Sequence, residues 1–322
     1  KLKYLIIGNE SCDLDSAVSS IVYAFFLHWQ HQQIKCKVCT RGNRDEALYK
    51  DDIFLPILNV DRQDYDLKTE VAYLLRRNGI EDHLLIFKND YNIYDLVSSH
   101  GSKVTLVDHH ILPTTDKFLT SHVTEIIDHR PLDHSGWVYK DDVRSTIEQV
   151  GSCCTLVAQR IKDLSALMAK DVDFFNAYPV CGDMLYTTII LDTVNFSQEL
   201  NKATPHDEQI VMFLETLFKP DNYEAERKAK LDSLTAAKSD VSRLSAAQLL
   251  RKDVKVFGSI LVPSFPILVE VSSRRTHIYI DNASLTICIE TKPAVNSDVV
   301  SGFSVTRSKC ICFIYVNVYL WF

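Results

Sequence analysis

Short apolar runs, each followed by a polar cluster, set the rhythm of the first two hundred residues. Lys3-Tyr-Leu-Ile-Ile7 reads as a buried strand that runs into the turn-rich Gly8–Asp15. Apolar residues at helical spacing (Val18, Ile21, Val22, Phe25, Phe26, Trp29) then predict a helix over Ser16–Trp29. Residues 30–50 read as a polar insertion, Asp52–Asn59 as a second strand and Lys68–Asn78 as a helix. Three more strands are predicted: His83–Phe87, Lys103–Val107 and His122–Ile127. Gly151–Leu164 reads as a helix, and Leu185–Leu191 as another apolar, strand-like run. Strands alternating with helices predict an α/β fold, a parallel sheet with helices on both faces. In such sheets ligands bind beyond the carboxyl ends of the strands.

Residues 201–250 are mostly polar and helical, and Val254–Val262 begins a second sheet. The expected organisation is a metal-binding catalytic domain over 1–200, a helical linker over 201–250 and a smaller α+β domain over 251–322. The last fifteen residues, Ser308–Phe322, are apolar and β-prone, an atypical terminus that is expected to truncate this second domain.

Composition narrows the function. The chain has 322 residues, 46% hydrophobic and 24% charged, the mix of a soluble globular protein. A net charge of −7 argues against nucleic acid as a required partner, because that binding rests on basic residues neutralising phosphates. A small anionic substrate stays compatible if cations are focused in one cleft. Cys12, Cys153, Cys154 and Cys181 lie in or near apolar segments and read as buried thiols of a reducing compartment. The Cys36/Cys39 pair lacks the second ligand pair that a zinc site needs. No leader-like segment opens the chain and no run of eighteen apolar residues occurs, so a cytoplasmic protein without a membrane partner is expected.

The candidate chemistry lies at the predicted strand ends. Asp13 and Asp15 follow the first strand, Asp108-His109-His110 the fourth, and Asp128-His129-Arg130 the fifth. Asp192 follows the run at 185–191. Singly, each has a plainer reading: Asp13 as a helix cap, Asp15 as a first-turn acid, His109 and His110 as loop histidines, Asp192 as a turn residue. Together, carboxylates and histidine at several strand ends are the ligand set of hard and borderline divalent cations. Two such cations about 3.5–4 Å apart can clamp the attacking and leaving oxygens of a phosphoryl transfer.

Gly8-Asn-Glu-Ser-Cys-Asp-Leu-Asp15, Val107-Asp-His-His110, Ile127-Asp-His-Arg-Pro131, Val150-Gly-Ser-Cys153 and Ile190-Leu-Asp-Thr-Val-Asn195 resemble, as an ordered set, the DHH phosphoesterase superfamily. The prune-type exopolyphosphatase branch, related to family II inorganic pyrophosphatases, matches best, over residues 3 to about 270. The resemblance implies a two-metal site, manganese or magnesium, held by Asp13, Asp15, Asp108 as the bridge, His129 and Asp192. It implies hydrolysis of phosphoanhydride bonds in short-chain polyphosphate or pyrophosphate by a metal-activated water. Asn9 replaces a histidine ligand of the pyrophosphatases and is placed toward the substrate. Arg130 replaces a second histidine, and its fork suits phosphate oxygens. Asp128 is expected to orient His129, and His109 and His110 to line the catalytic site.

Lys255, in a motif like the opening of the family's second domain, is a candidate phosphate contact. Ser273-Arg274-Arg275 only superficially resembles the family's later basic motif and arrives too early. The rival readings are a phosphodiesterase acting on cyclic nucleotides or oligonucleotides, and a regulatory protein that acts through protein partners. Oligomeric state is left open.

Overall fold

The computed structural model describes residues 2–39, 52–98, 101–168 and 173–245, Gln248 and Lys252, and the C-terminal strands given below. The chain divides into two compact units, Lys1–Asp240 and Val241–Phe322.

The first unit is built on five strands: β1 (Lys3–Ile7), β2 (Ile53–Ile57), β3 (Lys103–Val107), β4 (Val123–Asp128) and β5 (Arg144–Ile147). Their order is β2-β1-β3-β4-β5, and every neighbouring pair is parallel. The helices are α1 (Leu14–Cys39), α2 (Thr69–Arg77), α3 (Ile93–Ser98), α4 (Cys153–Leu167), α5 (Asp173–Ala177), α6 (Pro179–Asp192), α7 (Pro205–Phe218) and α8 (Tyr223–Ser239). The period-two alternation of β1 divides its side chains between two cores. Ile6 joins Val107, Ile127 and the apolar faces of α1, α4 and α6. Leu5 and Ile7 join Val104, Leu106, Ile126 and Val97 of α3 on the other face. The predicted sheet, covered on both faces, is therefore present.

β1 has β2 on one side and β3 on the other, so the strand order reverses there. A crevice beyond the carboxyl ends of β1 and β3 is the expected ligand position in such a sheet. Gly8 makes the first turn of α1 fit against that edge, since a Cβ there would meet Ser16 Oγ at 2.2 Å.

Several elements differ from the sequence reading. The run 83–87 is not a strand. Asp82–Leu84 is a 3₁₀ turn, and only a parallel bridge between Leu58 and Phe87 remains. Only Leu85 and Phe87 of that run are buried, while Leu84 is exposed, so too few apolar residues face the core to hold a strand. Leu185–Leu191 lies within helix α6, which opens on Pro179. This helix is apolar all round because α1, α4, α7 and α8 surround it. Helix α1 runs on to Cys39, into the expected polar insertion, while 40–51 lie outside the described residues. The fifth strand of the sheet is instead Arg144–Ile147, a half-exposed edge whose polar sequence gave no apolar signal.

In the second unit, β6 (Val254–Phe257) and β7 (Ile260–Pro263) form an antiparallel pair. A five-stranded antiparallel sheet follows in the order β11 (Ser304–Thr306), β12 (Lys309–Phe313), β10 (Thr286–Thr291), β9 (Thr276–Ile280), β8 (Val269–Glu270). The Ser273-Arg274-Arg275 segment and residues 314–322 of the terminal run lie outside the described residues. No helix among the described residues is long and apolar enough to cross a membrane.

Candidate metal centre

Asp15, Asp108 and His129, from α1 and from the ends of β3 and β4, converge so that one ligand atom of each lies within 4.8 Å of the others. Each is held by a different local device. Asp108 adopts φ 61°, left-handed backbone that Asp tolerates better than most residues, and its N–H donates to Ile127 O (2.8 Å). His129 donates Nδ1–H to Val150 O (2.9 Å), which leaves Nε2 facing Asp108 Oδ1 at 3.2 Å and Asp15 Oδ2 at 3.7 Å.

Asp15 does not act as a first-turn acid for its own helix alone. It caps α4, accepting from Cys153 N (2.6 Å) and Cys154 N (2.8 Å), and also takes the Ser152 hydroxyl (2.9 Å). These amides are orphan donors of a helix N-terminus, where an anion is favoured.

Asp13 keeps its plainer role as well as its place near the site. Its Oδ1 accepts from Ser16 N (3.1 Å) at the start of α1, and its Oδ2 accepts from Ser11 Oγ (3.0 Å). Asp192 ends α6 with Oδ2 buried and without a hydrogen-bond partner. Neither belongs to the tight trio, yet both are electrostatically linked to it: Asp13 acts on Asp15 and Asp108, and Asp15, Asp13 and Asp108 act on Asp192.

The remaining candidates divide. Asn9 is buried, and its amide is fully engaged inside the site: Nδ2 donates to Asp108 Oδ2 (2.6 Å), while Oδ1 accepts from Ser11 Oγ and Cys12 N. It supports the carboxylate rather than presenting a free group to a substrate. Asp128 was expected to orient His129 but instead meets His110 Nδ1 (2.5 Å) and the Arg130 amide (3.2 Å). His110 Nε2 accepts from Asp133 N (3.1 Å), which fixes the proton on Nδ1 and makes His110 a tie between two strand ends. His109 is buried, hydrogen-bonded to Val107 O (3.0 Å), and kept neutral by burial, which lowers its pKa. The Arg130 guanidinium is half exposed and lies 3.6 Å from Asp108 Oδ1. Lys255 lies on β6 opposite Val262, and its side chain is outside the described residues.

Burial, and then mutual repulsion, pushes the carboxyls of Asp15, Asp108 and Asp192 above the usual range. Burial disfavours the His129 imidazolium, but the Asp108 carboxylate 3.2 Å away and the charge of Asp15 outweigh it and push His129 up to about 10. Without a cation the site thus favours the protonated His129, and a bound cation would take the place of the Nε2 proton. Asp108 Oδ1, like Asp192 Oδ2, is buried without a hydrogen-bond partner. Unpartnered carboxylate oxygens beside a histidine nitrogen are the donor set that a divalent cation satisfies. The described cysteines beside the site are poor nucleophiles: burial holds Cys12 at about 12 and Cys153 and Cys154 well above the ordinary thiol value.

Ser152 and the Val150 carbonyl were not singled out from the sequence, although Val150-Gly-Ser-Cys153 was part of the recognised motif set. A backbone carbonyl has no residue-type signal, and a serine beside cysteines reads as an ordinary cap.

The pattern of the DHH family, N-terminal domain, matches residues 3–189, and the chain belongs to that family. Within it, the chain stands with the prune-type branch. It is 38% identical over 252 residues to mouse exopolyphosphatase PRUNE1, covering 78% of this chain and 49% of that one. It is 31% identical over 254 residues to a putative exopolyphosphatase of Schizosaccharomyces pombe, covering 78% and 59%. A probable manganese-dependent inorganic pyrophosphatase of Deinococcus radiodurans is 28% identical over 192 residues, 58% of this chain and 52% of that one. The chain spans about half the length of the mammalian relatives.

Proposed function

We propose that this protein hydrolyses phosphoanhydride bonds in short-chain polyphosphate or pyrophosphate with a two-metal centre of manganese or magnesium. The observation that carries the reading is the pair of buried, unpartnered carboxylate oxygens of Asp108 and Asp192 beside His129 Nε2. Asp15, Asp108 and His129 would hold one cation, and Asp13 and Asp192 would complete the ligand set around Asp108. Mixed imidazole and carboxylate donors favour manganese. When bound, such a cation neutralises phosphate charge and acidifies water.

The chain's own residues do the rest. Arg130, half exposed at the rim, reaches toward the phosphate and binds its oxygens with a planar fork. Asn9 holds one oxygen of Asp108 and leaves the other for the cation. Burial raises the Cys12 and Cys153 thiols, which disfavours the thiolate that a cysteine-linked intermediate would need. Four buried free cysteines fit a reducing compartment, in agreement with a cytoplasmic setting.

Phosphate release from tripolyphosphate with added Mn²⁺, compared between wild type and Asp108→Ala, tests the proposal. Metal-dependent release that the substitution abolishes supports it. A folded, metal-binding wild-type chain that releases no phosphate sinks it and leaves a binding role through partners. Release from cyclic AMP in preference to tripolyphosphate would replace it with a phosphodiesterase.

A further inference from the structure

Asp207 lies in the first turn of α7, outside every recognised motif, and is fully buried. Its Oδ2 accepts from Thr204 N (2.8 Å) and Thr204 Oγ1 (2.7 Å), and Thr204 Oγ1 accepts in return from Asp207 N. That much is an ordinary capping box. The same carboxylate also accepts from Gly151 N (2.8 Å) through Oδ2 and from Thr155 Oγ1 (2.6 Å) through Oδ1. Capping α7 does not require these two bonds. They tie α7 to the segment that frames the metal centre.

Each neighbour of Gly151 grips one site residue. Val150 O holds His129 Nδ1, and Ser152 Oγ with the amides of Cys153 and Cys154 holds Asp15. Gly151 itself is wedged in place: a Cβ there would meet Thr193 Cγ2 at 2.7 Å and Lys202 O at 2.9 Å. Thr193 directly follows Asp192, so the wedge abuts the end of α6 that carries this third carboxylate. We infer that Asp207 is a positioning residue that sets the register of the Val150–Cys154 segment, and through it the placement of His129 and Asp15. The inference rests on the metal reading for its effect on affinity, but its effect on His129 is independent of metal.

The test uses the full chain as wild type, Asp207→Ala and Asp207→Asn, with Asn222→Ala as a control. Asn222 is an exposed cap of α8 through Ala225 N and shares no hydrogen bond with the Val150–Cys154 segment, so its loss is expected to lower stability only. Asp207→Asn keeps the side-chain volume but turns an acceptor into a donor, and it decides the matter if Asp207→Ala does not fold. In metal-free protein, ¹⁵N-histidine spectra follow the exchange of the His129 Nδ1–H. Both Asp207 variants are expected to speed that exchange, and Asn222→Ala to leave it unchanged. An Mn²⁺ titration read by electron paramagnetic resonance is expected to show affinity reduced at least about tenfold for the Asp207 variants. Folded Asp207→Asn with wild-type His129 exchange overturns the inference. A wild-type chain that binds no Mn²⁺ overturns the metal reading instead, and the exchange result still decides the role of Asp207.

Discussion

The side-chain amide of Asn9 donates to Asp108 Oδ2 across 2.6 Å, between two buried residues. It is the only side-chain donor, among the described residues, that satisfies this oxygen by a hydrogen bond, while Oδ1 of the same carboxylate has none. Asn9→Ala therefore leaves this buried carboxylate without a side-chain hydrogen bond, held only by the ion pairs of Oδ1 with His129 and Arg130. The expected cost in metal-free protein is about 1–3 kcal/mol, read by urea unfolding. Added Mn²⁺ should recover part of it.

Arg130 is half exposed: its backbone is tied to Asp128 Oδ1, and its guanidinium makes only a loose ion pair, 3.6 Å, with Asp108 Oδ1. Arg130→Ala is expected to lower kcat/KM for tripolyphosphate by roughly 10²-fold, the scale of losing one charged donor at a developing charge. Mn²⁺ affinity should not fall. Arg130→Lys should recover only part of the loss, because a lysine cannot grip two oxygens at once. A fall in Mn²⁺ affinity matching the fall in turnover would move Arg130 from substrate binding to support of the centre.

Gly151→Ala places a methyl group against Thr193 and the Lys202 carbonyl. Overpacking of this kind costs about 1–3 kcal/mol. Thermal unfolding of the metal-free protein checks it. Gly79→Ala provides the contrast, since nothing crowds that site and only its φ of 75° is strained.

Glu125 is buried on β4 and takes the Tyr23 hydroxyl (2.8 Å), Arg144 (2.7 Å) and, less closely, Arg160 (3.5 Å). Glu125→Gln removes the one charge that balances two arginines. The expected destabilisation is about 3 kcal/mol by urea unfolding. Tyr23→Phe should cost about 1 kcal/mol, the scale of one net hydrogen bond.

Arg62 holds the carboxylate of Asp90 below the usual range through two hydrogen bonds, and the Phe87 amide adds a third. A depressed folded-state pKa stabilises the fold above the unfolded value near 3.9, and the gain is lost as pH falls through the folded value. The pair lies at the surface, with Arg62 half exposed and Asp90 partly so, and Asp90→Asn should cost about 1 kcal/mol or less at neutral pH. The difference from wild type should vanish in acid, below both values. A gap that persists there would mean that the loop hydrogen bonds, not the charge, carry the effect.

Much of the frame was legible from local pattern. Runs such as Lys3–Ile7, Lys103–Val107 and Val123–Ile127 are too short for helices and too apolar for loops, so their strand character follows from the residues alone. The polar clusters after them were equally legible as strand-end loops, because in a parallel sheet those ends share one edge. The run 185–191 was misread for the opposite reason. Period two and period 3.6 cannot be told apart in a segment apolar on every side, and only its enclosure by α1, α4, α7 and α8 made it a helix. Likewise Arg144–Ile147 is a strand because β4 offers it backbone partners, not because its residues favour one.

The sequence by itself determined which chemical groups are available at the sheet edge: three aspartate-bearing clusters, a histidine without a competing cysteine nucleophile, and an arginine in place of a second imidazole. Tertiary structure alone decided which of them meet. Strand order brought Asp108 and His129 beside Asp15, and it committed Asp128 to His110 instead of His129. It also delivered Val150, Ser152 and Asp207 to the frame of the centre. The physical reason is one of range. Hydrophobic periodicity acts over a few residues and fixes local elements, whereas contacts between separate elements, here from 18 to 137 positions apart, depend on how those elements close over a common core.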